Sequence, residues 1–447
     1  MKQVGKGFLG VLLAVLLVVL TYIVYLNVRE TNQMEAEAEY VEATPKPVIE
    51  SAAPSKDPGP IQEGENNADI KIAVYGDIVC HTGLNDEAKK SDGSYDYSPI
   101  FSDAMGPAQE ADYSIVTLET TFPNSSSYSG YPMFSSPASL ATGLKQSGFD
   151  LVNTASNHSM DSYQSGLNRT LDVLDENGLD HIGTYRSQEE RDAANGIVAK
   201  DINGVSVAFL SYTYGTNGMP ITGFEYAVNV FNNDYLTDLT DVKYDMMKTD
   251  MAAARAMNTD LIIVLMHWGT EYELTPNNRQ RELADFLFAE GADIVLGGHT
   301  HVPEPMELRR VTDNEGNEKT GYIVYSLGNF ISCQNDRFTN LTAAVTLTIR
   351  KNLNTGETYL KSVSYKPMFM VDLSDHGISG AGWRYRLWDL RKAIGSYEAG
   401  DNYGVITETL YNALTAGLSD LHTVLDPTFD EANGGVDVVN YQFEDDN

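Results

Sequence analysis

Short apolar runs, each closed by a polar residue, recur along the chain. Ile70-Lys71-Ile72-Ala73-Val74-Tyr75 ends at Gly76-Asp77, Tyr113–Leu118 ends at Glu119, and Phe149–Val152 ends just before Asn153. Val205–Leu210 is another run, Leu261–Met266 ends at His267, and Asp293–Leu296 ends at Gly297-Gly298-His299. Near-continuous apolar runs of this length predict strands buried on both faces. Between them, helical periodicity covers Ser139–Ser147, Tyr163–Asn177, Val242–Met257 and Asn278–Glu290. Strand and helix in alternation predict an α/β fold with a mostly parallel, layered sheet. Trp383–Ile394 and Val405–Leu421 are predicted as further helical pieces.

The N-terminal pattern is different. Phe8–Leu26 is almost wholly apolar and uncharged, and a helix of about 20 residues spans a bilayer core. Lys2 and Lys6 precede it, which predicts a cytoplasmic N-terminus and an exported body. A cleaved signal peptide would carry a shorter apolar segment with a small-residue site close behind. The only such site, Ala36-Glu37-Ala38, lies well downstream, so an uncleaved signal anchor is expected. Gly5-Lys6-Gly7-Phe8-Leu9-Gly10 matches G-x-G-x-x-G, but it follows no strand and opens the apolar helix, so it is not a nucleotide site. The expected organisation is a cytoplasmic start and transmembrane anchor (1–28), a disordered acidic, Pro-rich stalk (29–68), a main domain (69–371), and a C-terminal helical extension with an acidic tail (372–447).

Composition narrows the function. The 447 residues carry 30 Lys plus Arg against 63 Asp plus Glu, a formal net charge of -33, so a nucleic-acid partner is excluded. Two cysteines, Cys80 and Cys333, rule out a disulfide-rich scaffold and a Cys-based zinc site. On an oxidising exterior they could pair or remain buried thiols.

Metal-competent residues fall at strand end after strand end. In open α/β sheets the loops at the carboxyl ends of strands gather on one edge. Asp77, Glu119, Asn157-His158, His267 and His299/His301 are thereby expected to converge on one site. Gly297-Gly298-His299-Thr300-His301 is the sharpest local signal, since two histidines spaced i, i+2 after a Gly turn can face one cleft. Imidazole and carboxylate together suit borderline and hard divalent ions. Each feature alone has a bland alternative: a satisfied core histidine, a turn, or a helix cap. Five of the eight histidines in one pattern weigh against five separate accidents.

The ordered set Gly-Asp77, Leu-Glu119-Thr, Ser-Asn157-His158-x-x-Asp161, His267-Trp-Gly-x-Glu271-Tyr, Gly-Gly-His299-x-His301-x-x-Glu304 and Tyr-Ser-Leu-Gly-Asn329-Phe resembles the bacterial capsule-synthesis CapA family. That family includes PgsA-type proteins of poly-γ-glutamate synthesis, and its domain is similar to calcineurin-like metallophosphoesterases. The resemblance covers about residues 70 to 370. It implies an α/β/β/α metallophosphatase-like sandwich holding two divalent metal ions, with Mn, Fe or Zn favoured. By the same resemblance Asp77 and His301 serve one ion, Glu119 bridges, and Asn157, His267 and His299 serve the other. His158 assists the leaving group, with Asp161 beside it. Trp268, Glu271, Tyr272, Glu304 and Asn329 are candidates for lining or orienting the site. Two departures matter: His81 stands four residues after Asp77 where the related phosphoesterases have Asp-x-His, and Glu119 replaces a bridging Asp. His81 is therefore only a candidate ligand.

The resemblance implies a membrane-anchored, extracellular, metal-dependent hydrolase or transferase acting on a capsule polymer such as poly-γ-glutamate, beside the membrane subunits of its synthase. Two alternatives are a non-catalytic assembly or export subunit and a general extracellular phosphoesterase. A polyanionic polymer would meet an acidic protein, so its binding would need local positive charge that bound divalent ions could supply.

Overall fold

The computed structural model describes residues 66–101 and 105–443. The predicted anchor and nearly all of the predicted stalk lie outside the described residues. Among those described, no helix is long and apolar enough to cross a membrane.

The strands, in chain order, are β1 (Asn67–Ile78), β2 (Tyr113–Leu118), β3 (Leu151–Asn153), β4 (Asp180–Ile182), β5 (Val198–Ile202), β6 (Val205–Thr213), β7 (Leu261–His267), β8 (Ile294–Gly298), β9 (Pro303–Thr312), β10 (Glu318–Leu327), β11 (Asn329–Ile331), β12 (Leu341–Asn352), β13 (Thr358–Asp372), β14 (Tyr385–Asp389) and β15 (Val436–Asp437). They form two sheets. One runs β14-β13-β12-β1-β2-β3-β4, with β11 beside β1 and β15 beside β13; the other runs β5-β6-β7-β8-β10-β9.

The double burial expected of the apolar runs is visible residue by residue. In β1, Ile70, Ile72 and Val74 face the core between the sheets, while Ala73 and Tyr75 face the outer layer with Leu140, Leu144 and Leu174. In β7, Ile263 and Leu265 point to the shared core; Ile262, Val264 and Met266 point outward toward Met247, Met251 and Leu283. Period-2 alternation thus places every second side chain in a different layer. The result is helix, sheet, sheet, helix.

The sheets are mixed rather than mostly parallel. β1-β2-β3-β4 and β6-β7-β8-β10 are parallel, but β12 and β13 return antiparallel beside β1, and β5 and β9 pair antiparallel at the other sheet's edges. Trp383–Ile394 departs from its helical expectation. Its first part is strand β14, with Tyr385 and Leu387 on the outer face and Trp388 in the shared core, and a helix begins only at Leu390. The stretch after residue 372 therefore contributes strands to the large sheet. Its helix Glu408–Val424 sends Leu410, Leu414 and Leu421 into the core between the sheets.

Register sets the site. Asp77 pairs with Thr117 on one side and Asn329 on the other, and His267 stands beside Gly298. Ser211 of β6 donates to Asn153 Oδ1 of β3 at 2.5 Å, joining the two sheets near the strand ends.

Candidate metal centre

The carboxyl ends of β1, β2 and β7 bring Asp77, Glu119 and His267 together. Their ligand-type atoms lie within 4.8 Å of one another, and all three residues are buried. His267 Nε2 lies 2.9 Å from Asn157 Oδ1 and 3.7 Å from Glu119 Oε1. The rings of His267 and His299 are 4.9 Å apart, and those of His299 and His301 6.0 Å. Asp77 and His299, 222 positions apart in the chain, thus meet at one point.

The β8 turn explains the glycines. A Cβ on Gly297 would fall 1.8 Å from the Tyr325 carbonyl oxygen, and one on Gly298 would fall 2.5 Å from Asp77 Oδ1. Only glycine lets the strand end come this close. The histidines that follow hold uncommon left-handed backbones, φ 99° for His299 and 62° for His301. Such conformations cost about 1–3 kcal/mol and persist where surroundings impose them. Here the His299 amide donates to Asp77 Oδ2 at 2.7 Å.

Five buried atoms at this point have no hydrogen-bond partner: Asp77 Oδ1, Glu119 Oε1 and Oε2, His267 Nδ1 and His299 Nδ1. An unmet buried polar group costs about 1–3 kcal/mol, so five in one place are a strong mark of a cation site. The charge state agrees. Burial pushes the Asp77 and Glu119 carboxyls up; the Asp77 charge raises Glu119 further, while the His299 amide and the Glu119 carboxyl draw Asp77 part of the way back. Burial, reinforced by neighbouring histidines, pushes His267 and His299 well below the usual imidazole range. Burial also lowers His301 to about 4, against the opposing effect of its hydrogen bond to Asn329. Neutral imidazoles and carboxylates that lack a counter-charge fit divalent ions.

Asn329 orients His301. Its Nδ2 donates to Gln334 Oε1 at 2.7 Å and to the Thr339 carbonyl at 3.0 Å, so its Oδ1 accepts from His301 Nδ1 at 3.0 Å. The His301 proton then sits on Nδ1 and the Nε2 lone pair stays available, the outer-shell arrangement that metal-binding histidines use. His158 Nδ1 is bonded to Asp161 Oδ2 at 2.7 Å, and Asp161 Oδ2 also accepts from the Phe134 amide at 2.5 Å. The Phe134 ring stands edge-on to both His158 and His81.

The remaining candidates separate. His81 stays outside the three-residue group: its Nδ1 lies 2.9 Å from the Val79 carbonyl and takes the Cys333 amide at 3.2 Å. Glu271 and Tyr272 are exposed beside His301, with Glu271 Oε1 3.8 Å from His301 Nε2 and the Tyr272 hydroxyl taking a bond from Gln334 Nε2. Trp268 and Glu304 lie deeper than a substrate-lining role requires. Trp268 is in the outer core and donates to the Tyr325 carbonyl. Glu304 is fully buried and accepts from Gln280 Nε2 at 2.5 Å, and Gln280 belongs to the capping box of helix Asn278–Ala289. Cys80 and Cys333 are free thiols, raised by burial to about 12 and about 11.

Motif spacing does not reveal Tyr214, Asn217, Phe134 and Gln334. Tyr214 packs its ring 4.6 Å from that of His299, and Asn217 touches both Asn157 and His158. The available signal was position: Tyr214 and Asn217 follow β6, another strand that ends at the same edge.

Residues 71–334 match the family described as Bacterial capsule synthesis protein PGA_cap. The chain is 32% identical over 209 residues to the PGA biosynthesis protein CapA of Bacillus subtilis (strain 168), covering 47% of this chain and 49% of that protein. It is 33% identical over 210 residues to the Capsule biosynthesis protein CapA of Bacillus anthracis, covering 47% and 46%. The chain thus matches about half the length of these curated relatives. Among solved structures, a hypothetical protein from Thermus thermophilus superposes with TM-score 0.38 at 14% identity, covering 67% of this chain and 98% of that one. A novel phosphatase from Mycoplasma pneumoniae does so with TM-score 0.38 at 13% identity, covering 67% and 93%. Overlaps of that quality carry no weight for the fold, which rests on the layers described above.

Proposed function

The chain belongs to the bacterial capsule synthesis protein family PGA_cap, and from that premise we propose that it is a membrane-anchored, extracellular, metal-dependent hydrolase or transferase of metallophosphatase-like type, acting on a capsule polymer such as poly-γ-glutamate or its precursor. The observation that carries the reading is the group of five orphaned buried atoms on Asp77, Glu119, His267 and His299. Asp77 and His301 would hold one ion, Asn157, His267 and His299 the other, with Glu119 between them. Two such ions, when bound, polarise an oxygen of the scissile group and make a water nucleophilic at neutral pH.

The chain's own residues supply the rest. Asn329 keeps the His301 Nε2 lone pair directed at the site. Asp161 holds the proton of His158 on Nδ1, which leaves Nε2 as the atom that exchanges a proton with the reacting group. Phe134 walls that histidine from one side and excludes water there. Glu271 and Tyr272 stand where an entering substrate passes. The proposed setting is the outer face of a bacterial membrane, beside the membrane subunits of a polymer synthase. The N-terminal apolar run supports the membrane setting, and the names of the relatives support a part in capsule or PGA biosynthesis.

The test uses the full chain in mild detergent, loaded with Mn, Fe or Zn and measured for bound metal by elemental analysis. The expected result is about two ions per chain, lost together with turnover of phosphate esters or glutamyl polymers in the His299→Ala/His301→Ala variant. A parent chain that takes up no ion, or a double variant that keeps full activity, overturns the reading and leaves the assembly-subunit alternative.

A further inference from the structure

Asn217 stands in none of the motifs that mark the site. It lies in the loop that follows β6, with a left-handed backbone at φ 49° next to Gly218 at φ 78°. Asparagine tolerates that conformation better than most residues. Its side chain makes three contacts, and they fix which way the amide faces. Asn157 Nδ2 donates to its Oδ1 at 3.1 Å, and the Tyr214 hydroxyl donates to the same atom at 3.3 Å. Its Nδ2 donates to His158 Nε2 at 3.3 Å. A flipped amide would set donor against donor at Asn157.

Asn157 in turn has its own amide fixed, because its Nδ2 is turned to Asn217 while its Oδ1 lies 2.9 Å from His267 Nε2, on the side of the histidines. One exposed side chain therefore sets the direction of an expected ligand oxygen and, until a reacting group takes its place, rests on the Nε2 lone pair of the expected proton carrier. A hydroxyl or a carboxylate could not do this. The arrangement needs an acceptor toward Asn157 and a donor toward His158 on one rigid plane, which is the amide inventory. Tyr214 anchors the loop: its ring lies against His299, its amide bonds the His267 carbonyl, and its carbonyl takes a bond from Asn232.

Resting on the two-ion reading above, we propose that Asn217 is a positioning residue of the metal centre, holding Asn157 and His158 as one preorganised unit. Outer-shell partners of this kind set metal affinity through the ligand they orient. The loop after β6 is thus a working wall of the site.

The experiment measures Mn(II) binding to the metal-free full chain by the spin-resonance signal of free Mn(II), with thermal unfolding of each metal-free variant alongside. Asn217→Gly removes the amide without straining the left-handed backbone. It is expected to weaken binding of one ion roughly ten- to a hundred-fold with an unchanged melting curve. Asn217→Asp keeps an oxygen facing Asn157 and is expected to restore affinity to within a few-fold of the parent, while lacking the donor to His158. Parental affinity in Asn217→Gly, or an equal loss in both variants, overturns the proposal. A parent chain that binds no Mn(II) overturns the two-ion reading itself, which is a separate result.

Discussion

Glu304 shows how one buried carboxyl links the site to pH. Burial raises it from 4.5 to about 8, against the opposing pull of its bond to Gln280. Its Oε1 has no partner. Between those two values the folded chain keeps a proton that the unfolded chain releases. Its contribution is therefore complete below about pH 4.5 and is lost as pH rises through about 8. Glu304→Gln replaces the acid with a neutral amide of the same shape. We expect the variant to match the parent at pH 5 and to exceed it by on the order of 2 kcal/mol at pH 9. Denaturant unfolding at both pH values decides it, and parallel pH profiles would sink the idea.

At the scale of the element, the C-terminal helix and its following turns are held by one ion cluster. Asp430 is fully buried. It accepts two bonds from Arg391 Nε and Nη2, one from His422 Nε2 at 2.9 Å, and one from the Ala432 amide at 2.9 Å. Burial alone would raise this carboxyl, but Arg391, the Ala432 amide and His422 hold it below its ordinary value. Removing one partner of a buried pair costs about 3–5 kcal/mol; Arg391 is partly solvated, so Asp430→Ala is expected to cost about 3 kcal/mol. Hydrogen exchange in helix Glu408–Val424 should speed up first, because Leu410, Leu414 and Leu421 depend on that docking. Unchanged exchange there would show that the apolar contacts alone retain the helix.

At the scale of the molecule, a chain with net charge -33 buries three carboxyl oxygens of Asp77 and Glu119 without a hydrogen-bond partner at its strand ends. Anything that binds the folded chain and not the unfolded one adds stability by mass action. Mn(II) at a hundred times its dissociation constant should therefore add about 2.7 kcal/mol per site, and a chelator should remove it. A melting temperature indifferent to metal under conditions where metal is bound would contradict that coupling. Much of this was legible in the chain itself. β2 and the helix Ser139–Gln146 follow directly from apolar period, and Asp77, Glu119, His267 and His299 follow from their place at the ends of apolar runs. Those signals are local, because strand burial and strand ends depend on neighbours a few residues away. β12 and β13, which turn a parallel sheet into a mixed one, depend on long-range pairing that no local period records. The strand at Tyr385–Asp389 escaped for the same reason, since its partner β13 decides between helix and strand. Trp268 and Glu304 read like cleft residues beside their motifs, yet the layer behind the site claims both. Asn217 belongs to the site only because β6 ends beside β7. The chain alone determined which residues could hold a cation; tertiary structure decided which atoms meet, because that depends on two sheets stacking and on which strand ends share an edge.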